Sequence, residues 1–275
     1  MFKLRPFSKG LIYLILIIYS IGVFIPFLTL GLNSFKSLRE IFLTPFSLPS
    51  YFRIENYAAT WKQANLLIAY INSFTISIVS IFGILLTSSM IAYILARYDF
   101  PFRRILYLYI ISGLVLPARL AIIPIYLLLR DLALLDTRIG LILVYIATGI
   151  PFSVFILKHF MEAVPVEIED SARIDGASPW KIYSLIILPL CRPALVVVGI
   201  FNFVAIWNDF FFPLILINSR SKETIPLAIS VFFGEYANQW HLLSTALWMA
   251  TFPALLMFAI LSKQFISGMT QGAIK

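Results

Sequence analysis

Charge is scarce in this chain: acidic and basic residues make up 12% of its 275 positions, about half the share found in soluble domains. That scarcity excludes an ordinary water-soluble globule. Cysteine is nearly absent as well, with Cys191 alone, which excludes a disulfide framework and a thiolate metal cluster. The two histidines, His159 and His241, fall in different loops, so a histidine metal site is not expected. No GxxxxGK[ST] run occurs, so the chain carries no phosphate loop for a nucleotide. A polytopic membrane enzyme would need convergent acid, base or metal residues at one depth, and the scattered acids do not supply them. What fills the chain is apolar surface: 61% hydrophobic residues and a mean hydropathy of +0.94. The sequence therefore reads as an all-α polytopic membrane protein. Its net charge of +8 comes from basic residues scattered between apolar runs, which suits topology signals better than nucleic acid.

Six apolar runs are long enough to be membrane spans. The first, Leu11 to about Leu32, follows Lys3, Arg5 and Lys9. It is too long for a cleavable signal and is expected to stay, with its N-terminus inside. A loop from Asn33 to about Leu67, rich in Pro and aromatics, is too long for a tight turn and should fold back over the outer face. The second span runs from about Ile71 to Ala96, and its Ser73, Ser77, Ser80, Gly83 and Ser88 are read as close-packing positions. The third, Ile105 to about Leu129, contains Pro117, Arg119 and Pro124. Arg119 either faces the interior, or the helix breaks at Pro117 and the arginine reaches an interface. The fourth is about Ile139 to Leu157, the fifth about Ala194 to Ile217, and the sixth about Leu243 to Phe265, before a tail ending at Lys275. The inner segments Met1 to Gly10 and Arg97 to Arg104 hold three Lys or Arg each, against two in the outer segment Arg130 to Arg138. That inequality favours cytoplasmic termini.

Between the fourth and fifth spans lies a polar stretch, Pro165 to Pro193, PVEIEDSARIDGASPWKIYSLIILPLCRP. It reads as two short helices with a tight corner. Pro165 can start the first, with Glu167, Glu169 and Asp170 where negative charge suits a helix N-terminus. Gly176 offers the left-handed conformation that ends it, and Ser178-Pro179 is an N-cap pair that opens the second. Glu169 and Arg173, one turn apart, are expected to pair on the wet face.

These residues resemble the permease subunits of ABC importers that receive solutes from binding proteins. That family carries a loop with the spacing EAA, three residues, Gly, nine residues, Ile, one residue, Leu-Pro. Here Asp170-Ser171-Ala172 takes the place of the triplet, and Gly176, Ile186, Leu188 and Pro189 fall at the required offsets. The resemblance implies that this loop (about residues 160–193 of a single domain with core 68–266) is a coupling helix docked on a cytoplasmic ATPase. Its contacts would then be Glu167, Asp170, Ser171, Ala172, Asp175, Gly176, Ala177, Ile186, Leu188 and Pro189. Weaker fragments in shared order narrow the likeness to the carbohydrate-uptake branch: Asn33 to Lys36, Asn56-Tyr57, Asn72-Ser73, Ala92-Tyr93, the turn Arg97 to Arg104, Trp207 to Phe210 with Pro213-Leu214, Pro226 to Ala228, and Gly268 to Lys275.

The resemblance further implies a plasma-membrane heterodimer with a second, similar permease, two cytoplasmic ABC ATPases, and an external solute-binding protein that delivers a sugar or sugar-like solute. ATP and Mg would be used by the partner ATPases, with no cofactor held here. For the solute pathway the candidates are Asn202, Trp207, Asn208 and Asp209, with Arg119. Asn202 and Asp209 are seven residues apart and on one helical face; alternatively Asp209 pairs with a neighbouring helix or with the partner subunit. Two other readings remain open at this stage. A proton-coupled secondary transporter would have no need of the coupling-loop spacing, and an amino-acid or peptide ABC permease would share it.

Overall fold

The computed structural model describes residues 6–234 and 237–271. Lys3 and Arg5 of the basic N-terminal segment, and Gly272 to Lys275 of the tail, lie outside the described residues. Helices dominate what is described; the strands are a two-residue hairpin, Phe233–Gly234 against Ala237–Asn238. Four helices are long and apolar enough to cross a bilayer: Ser8–Asn33, Leu66–Arg97, Arg138–Glu162 and Trp240–Met257. Two further pairs qualify only together, Arg103–Val115 with Ala118–Asp131, bent by 92°, and Pro179–Leu190 with Arg192–Trp207, bent by 73°. Counting each bent pair as one crossing gives the six spans.

The bends correct two expected runs. In the third, the helix stops at Val115 and Leu116 turns extended (φ −82°, ψ 117°) ahead of Pro117. A proline disfavours the helical conformation in the residue before it and cannot donate to the turn behind it. A single 3-10 turn, Ala118–Ala121, then leads into Ile122–Asp131. The breaking alternative for Pro117 is the one realised. The fifth run, expected to continue to Ile217, ends as a helix at Trp207 after 16 residues, and a short helix follows from Phe211 to Leu216. Sixteen residues rise only about 24 Å, less than the hydrocarbon thickness of about 30 Å.

By contact density the chain forms two compact units, residues 1–67 with 228–253, and residues 68–227 with 254–275. In the smaller unit the first loop is built rather than slack. Buried Lys36 donates from Nζ to the carbonyls of Thr44 (2.8 Å) and Pro45 (2.9 Å), and buried Asn56 donates to the carbonyls of Ser34 and Lys36, both at 3.0 Å. Ser37 and Glu40 cap the helix Leu38–Leu43 reciprocally. The fragments Asn33 to Lys36 and Asn56-Tyr57, distant in sequence, are thus two halves of one polar joint, closed by a 2.7 Å hydrogen bond between Ser34 Oγ and Tyr57 OH.

In the larger unit two apolar clusters occupy different levels of the bundle. One gathers Ile76, Ile84, Leu141, Val144, Phe212 and Leu216; the other gathers Ala92, Leu157, Met161, Ile182, Ile187 and Val198. Ser73, Ser77, Ser80 and Ser88 are all buried, as close packing of the second span requires. At Gly149 the approach leaves no room for a side chain: a Cβ would sit 2.5 Å from Ile84 Cδ1 and 2.7 Å from Asn202 Oδ1. Beyond this packing, buried Asn72 donates to the carbonyls of Ser221 (3.1 Å) and Glu223 (2.8 Å), while Ser73 Oγ accepts from the Ile225 amide at 2.8 Å. Asp136 pins the same loop, accepting from the amides of Asn218 and Ser219 and from Lys222 Nζ at 2.9 Å.

Candidate functional site

The stretch Pro165 to Pro193 folds as its residues dictate. The helix Val166–Ile174 begins after Pro165 and closes in a left-handed cap: Gly176 has φ +79°, its amide bonds the Arg173 carbonyl (3.0 Å), and the Ala177 amide reaches back to Ala172 (2.9 Å). That pair of bonds satisfies carbonyls a helix end otherwise orphans. Ser178 then caps the next helix, accepting from the Lys181 amide, with Pro179 in its first turn. Between Ile182 and Ile187 this second helix widens by one residue per turn, and the Leu188 amide bonds Tyr183 rather than Ser184. Pro189 accounts for the widening, because it lacks an N–H and its ring would strike the carbonyl one turn earlier.

The residue that fixes this hairpin to the membrane helices is Glu169, expected from the sequence to pair with Arg173 on the wet face and not to act as an anchor. Glu169 is fully buried, not on a wet face, because it turns back onto the end of the helix Leu66–Arg97. There it forms a buried ion pair with Arg97 Nε and accepts from Tyr93 OH at 3.2 Å, while Arg97 Nη2 also donates to the Val164 carbonyl at 2.8 Å. Arg173 does reach Glu169, at 3.5 Å, but from the exposed side, and it hydrogen-bonds Asp170 at 2.6 Å. The partner Arg97 lies 72 residues away, so no local spacing rule could have found it.

The remaining residues of the hairpin divide by exposure. Glu167, Asp170, Ser171, Asp175 and Gly176 are exposed, and Ile174 between them is 86% exposed although it is apolar. Ala172, Ala177 and Leu188 are half-buried against the cluster of Ala92, Leu157 and Ile187, with Ile186 half-buried and Pro189 at the surface. Trp180, in the second helix of the hairpin, is exposed and packs at a tilt on Tyr183, with ring centroids 5.4 Å apart. The result is a short acidic and apolar knob held on a rigid base. Such a knob suits a groove in a partner.

A second polar cluster forms where the two broken runs meet. Asp209, 9% exposed at its side chain, stands in the gap after Trp207 and caps the helix Phe211–Leu216 by accepting from the Phe212 amide at 3.1 Å. The same Oδ2 accepts from Tyr145 OH at 2.9 Å. Its other oxygen lies 3.9 Å from Arg119 Nη2, and the Arg119 guanidinium sits 5.4 Å over the Phe211 ring with its side chain 69% exposed. The structure therefore brings Arg119 and Asp209 together and adds Tyr145 and Phe211. It does not bring the other candidates to them. The shared helical face of Asn202 and Asp209 is lost because the helix ends at Trp207. Buried Asn202 instead donates to Ser153 Oγ (3.1 Å) and the Val198 carbonyl (2.9 Å). Trp207 is buried in an aromatic stack with Phe203 (5.3 Å) and Phe74 (4.9 Å), and exposed Asn208 turns back to the Val204 carbonyl.

Residues 88–269 match the family model described as binding-protein-dependent transport system inner membrane component. The chain is 35% identical to the diacetylchitobiose uptake system permease protein NgcG of Streptomyces coelicolor, over 95% of this chain and 87% of that protein. It is 31% identical to the melibiose/raffinose/stachyose import permease protein MelC of Bacillus subtilis, over 98% of each. To the arabinooligosaccharides transport system permease protein AraQ of Halalkalibacterium halodurans it is 32% identical, over 93% of this chain and 92% of that one. The fold is shared with a chain in the crystal structure of a bacterial ABC transporter that imports the acidic polysaccharide alginate: TM-score 0.82, 20% identity, 96% of this chain and 99% of that one. A second alginate transporter structure, in complex with its pentasaccharide-bound periplasmic protein, matches with a TM-score of 0.66 at 15% identity, over 94% of this chain and 93% of that one.

Proposed function

This chain belongs to the family of binding-protein-dependent transport system inner membrane components, and from that premise we propose that it carries oligosaccharides through an ABC importer as one half of a permease heterodimer. The family is one of transport permeases rather than enzymes, and its multi-pass helices place the chain in a membrane. An external solute-binding protein hands over the sugar, and two cytoplasmic ATPases drive the cycle with ATP and Mg. Both termini and the hairpin Pro165 to Pro193 lie on the cytoplasmic side. The uptake systems named for the relatives, for diacetylchitobiose, melibiose/raffinose/stachyose and arabinooligosaccharides, support a sugar as cargo.

The observation that carries the mechanism is the buried pair between Glu169 and Arg97. It locks the knob, on which Asp170, Ile174 and Gly176 are exposed, to the end of a 32-residue membrane helix. A push on the knob is therefore passed to the bundle rather than absorbed by a flexible loop. Closure of the ATPases would move the helix Val166–Ile174 and switch the bundle between inward-open and outward-open states. On the solute path, Arg119, Phe211 and Asp209 combine hydrogen-bonding groups with an aromatic face at a helix break, which is where transporters commonly hold cargo. Proteoliposomes containing the two permeases and the ATPases, supplied with loaded binding protein, test the reading. Uptake of a labelled oligosaccharide should require internal ATP; uptake that follows a pH gradient without ATP would overturn it.

A further inference from the structure

The basic turn between the second and third runs lines an open surface cavity that neither the coupling hairpin nor the solute path uses. It has a volume of about 540 Å³ and is lined by Asp99, Phe100, Phe102, Arg103, Arg104, Ile105, Tyr107 and Lys158. Three of these are cations. Lys158, from the end of the fourth span, lies 4.6 Å over the Tyr107 ring and pairs with Glu162; Arg103 donates from Nε to the Leu95 carbonyl at 2.9 Å and stands 3.8 Å from Asp99, itself 98% exposed at its side chain. The exposed Arg104 side chain makes no hydrogen bond or ion pair with another described residue. The cations also sit against the grain of the local backbone. Arg103 and Arg104 open the helix Arg103–Val115, whose first turn holds no acid and whose N-cap, Phe102 at φ +65°, offers no capping side chain. Positive charge and uncapped amides at a helix N-terminus are mutually unfavourable unless an anion is present.

The surroundings say where that anion comes from. The cavity opens at the junction between the end of one membrane span and the start of the next, and the side chains beside it are apolar and outward: Phe102 is 76% exposed, Ile105 62% and Tyr109 75%. A soluble anion gains nothing from such a collar, whereas a phospholipid places its phosphate at the turn and its chains along Ile105 and Tyr109. We propose that this cavity binds the phosphate of an anionic phospholipid headgroup, held by Arg104 with Arg103 and Lys158. The charge on the turn that reads as a topology signal would then also be a lipid site. Basic residues near an anionic surface gain about 1 kcal/mol each, which is roughly fivefold in affinity.

Native mass spectrometry of the full chain, carried in mixed micelles with equal phosphatidylglycerol and phosphatidylcholine of the same acyl chains, tests this. Retention of phosphatidylglycerol over phosphatidylcholine should be clear in the wild type and fall about fivefold in Arg104→Gln. It should be unchanged in Arg192→Gln, which removes an exposed cation at the hairpin's far end, and unchanged by inorganic phosphate at about a hundredfold excess. Equal losses in the two variants would mean diffuse surface charge and overturn the site. So would displacement by inorganic phosphate, which would mark a soluble-anion site, or loss of the preference in the assembled transporter, which would mean that a subunit covers the turn.

Discussion

At the scale of single residues, burial decides which of the hairpin's charges are structural and which are free to meet a partner. Glu169 and Arg97 are both out of water, so removing one leaves the other as an uncompensated buried charge, a loss of about 3–5 kcal/mol. Glu169→Ala should therefore lower the melting temperature sharply, while the paired replacement Arg97→Met with Glu169→Met should recover most of it; a single variant as stable as wild type contradicts the burial. Gly176 presents the opposite case. Nothing lies within 4 Å of where its Cβ would be, so the strain of φ +79° is the whole cost of Gly176→Ala, about 1 kcal/mol, readable as a melting shift of a few degrees. In the loop, donation from Ser219 and then Lys222 holds the Asp136 carboxyl well below its usual range, and Ser50 with Ser37 brings Glu40 down to about 2. Both folded-state pKa values lie below the unfolded ones. The stability these groups give is thus complete above about pH 4–5 and lost as pH falls from there toward the folded values. The melting difference between wild type and Asp136→Asn should be constant from pH 5 to 7 and shrink below about pH 4.

At the scale of elements, the legible parts were those fixed by neighbours in sequence. The left-handed cap at Gly176, the Ser178-Pro179 start and the break at Pro117 each follow from one or two residues whose backbone options are few. The fifth run was misread because Asn208-Asp209 reads as a brief polar step inside an apolar run that resumes at Phe210 to Phe212, and the next proline is Pro213. What ends the helix is Asp209, which caps the Phe211–Leu216 helix and pairs across to Tyr145 and Arg119, partners 64 and 90 residues away in the chain. The seven-residue spacing of Asn202 and Asp209 fails for the same reason. The two breaks meet at one cluster, and that gives a prediction for the elements together. Asp209→Ala frees the Phe212 amide and releases Arg119, so solute uptake should fall at least tenfold while the ATPases keep their basal rate. Uptake and solute affinity equal to wild type would remove the breaks from the path.

At the scale of the whole molecule, fold class, membrane crossings and family were all visible in the pattern of apolar runs and in one spaced motif, because both are periodic and local. The knob's mounting was not, because it rests on a contact between the second span and the hairpin. On the proposed reading the subunit would take motion at Asp170 to Gly176 and pass it through Glu169 and Arg97 to a bundle that opens and closes. The most direct test is the amount of solute imported per ATP hydrolysed by the reconstituted transporter carrying Gly176→Trp. The mechanism predicts that the complex assembles and hydrolyses ATP while import per ATP falls at least tenfold. Import per ATP at the wild-type value, with an indole standing on the knob, would contradict it.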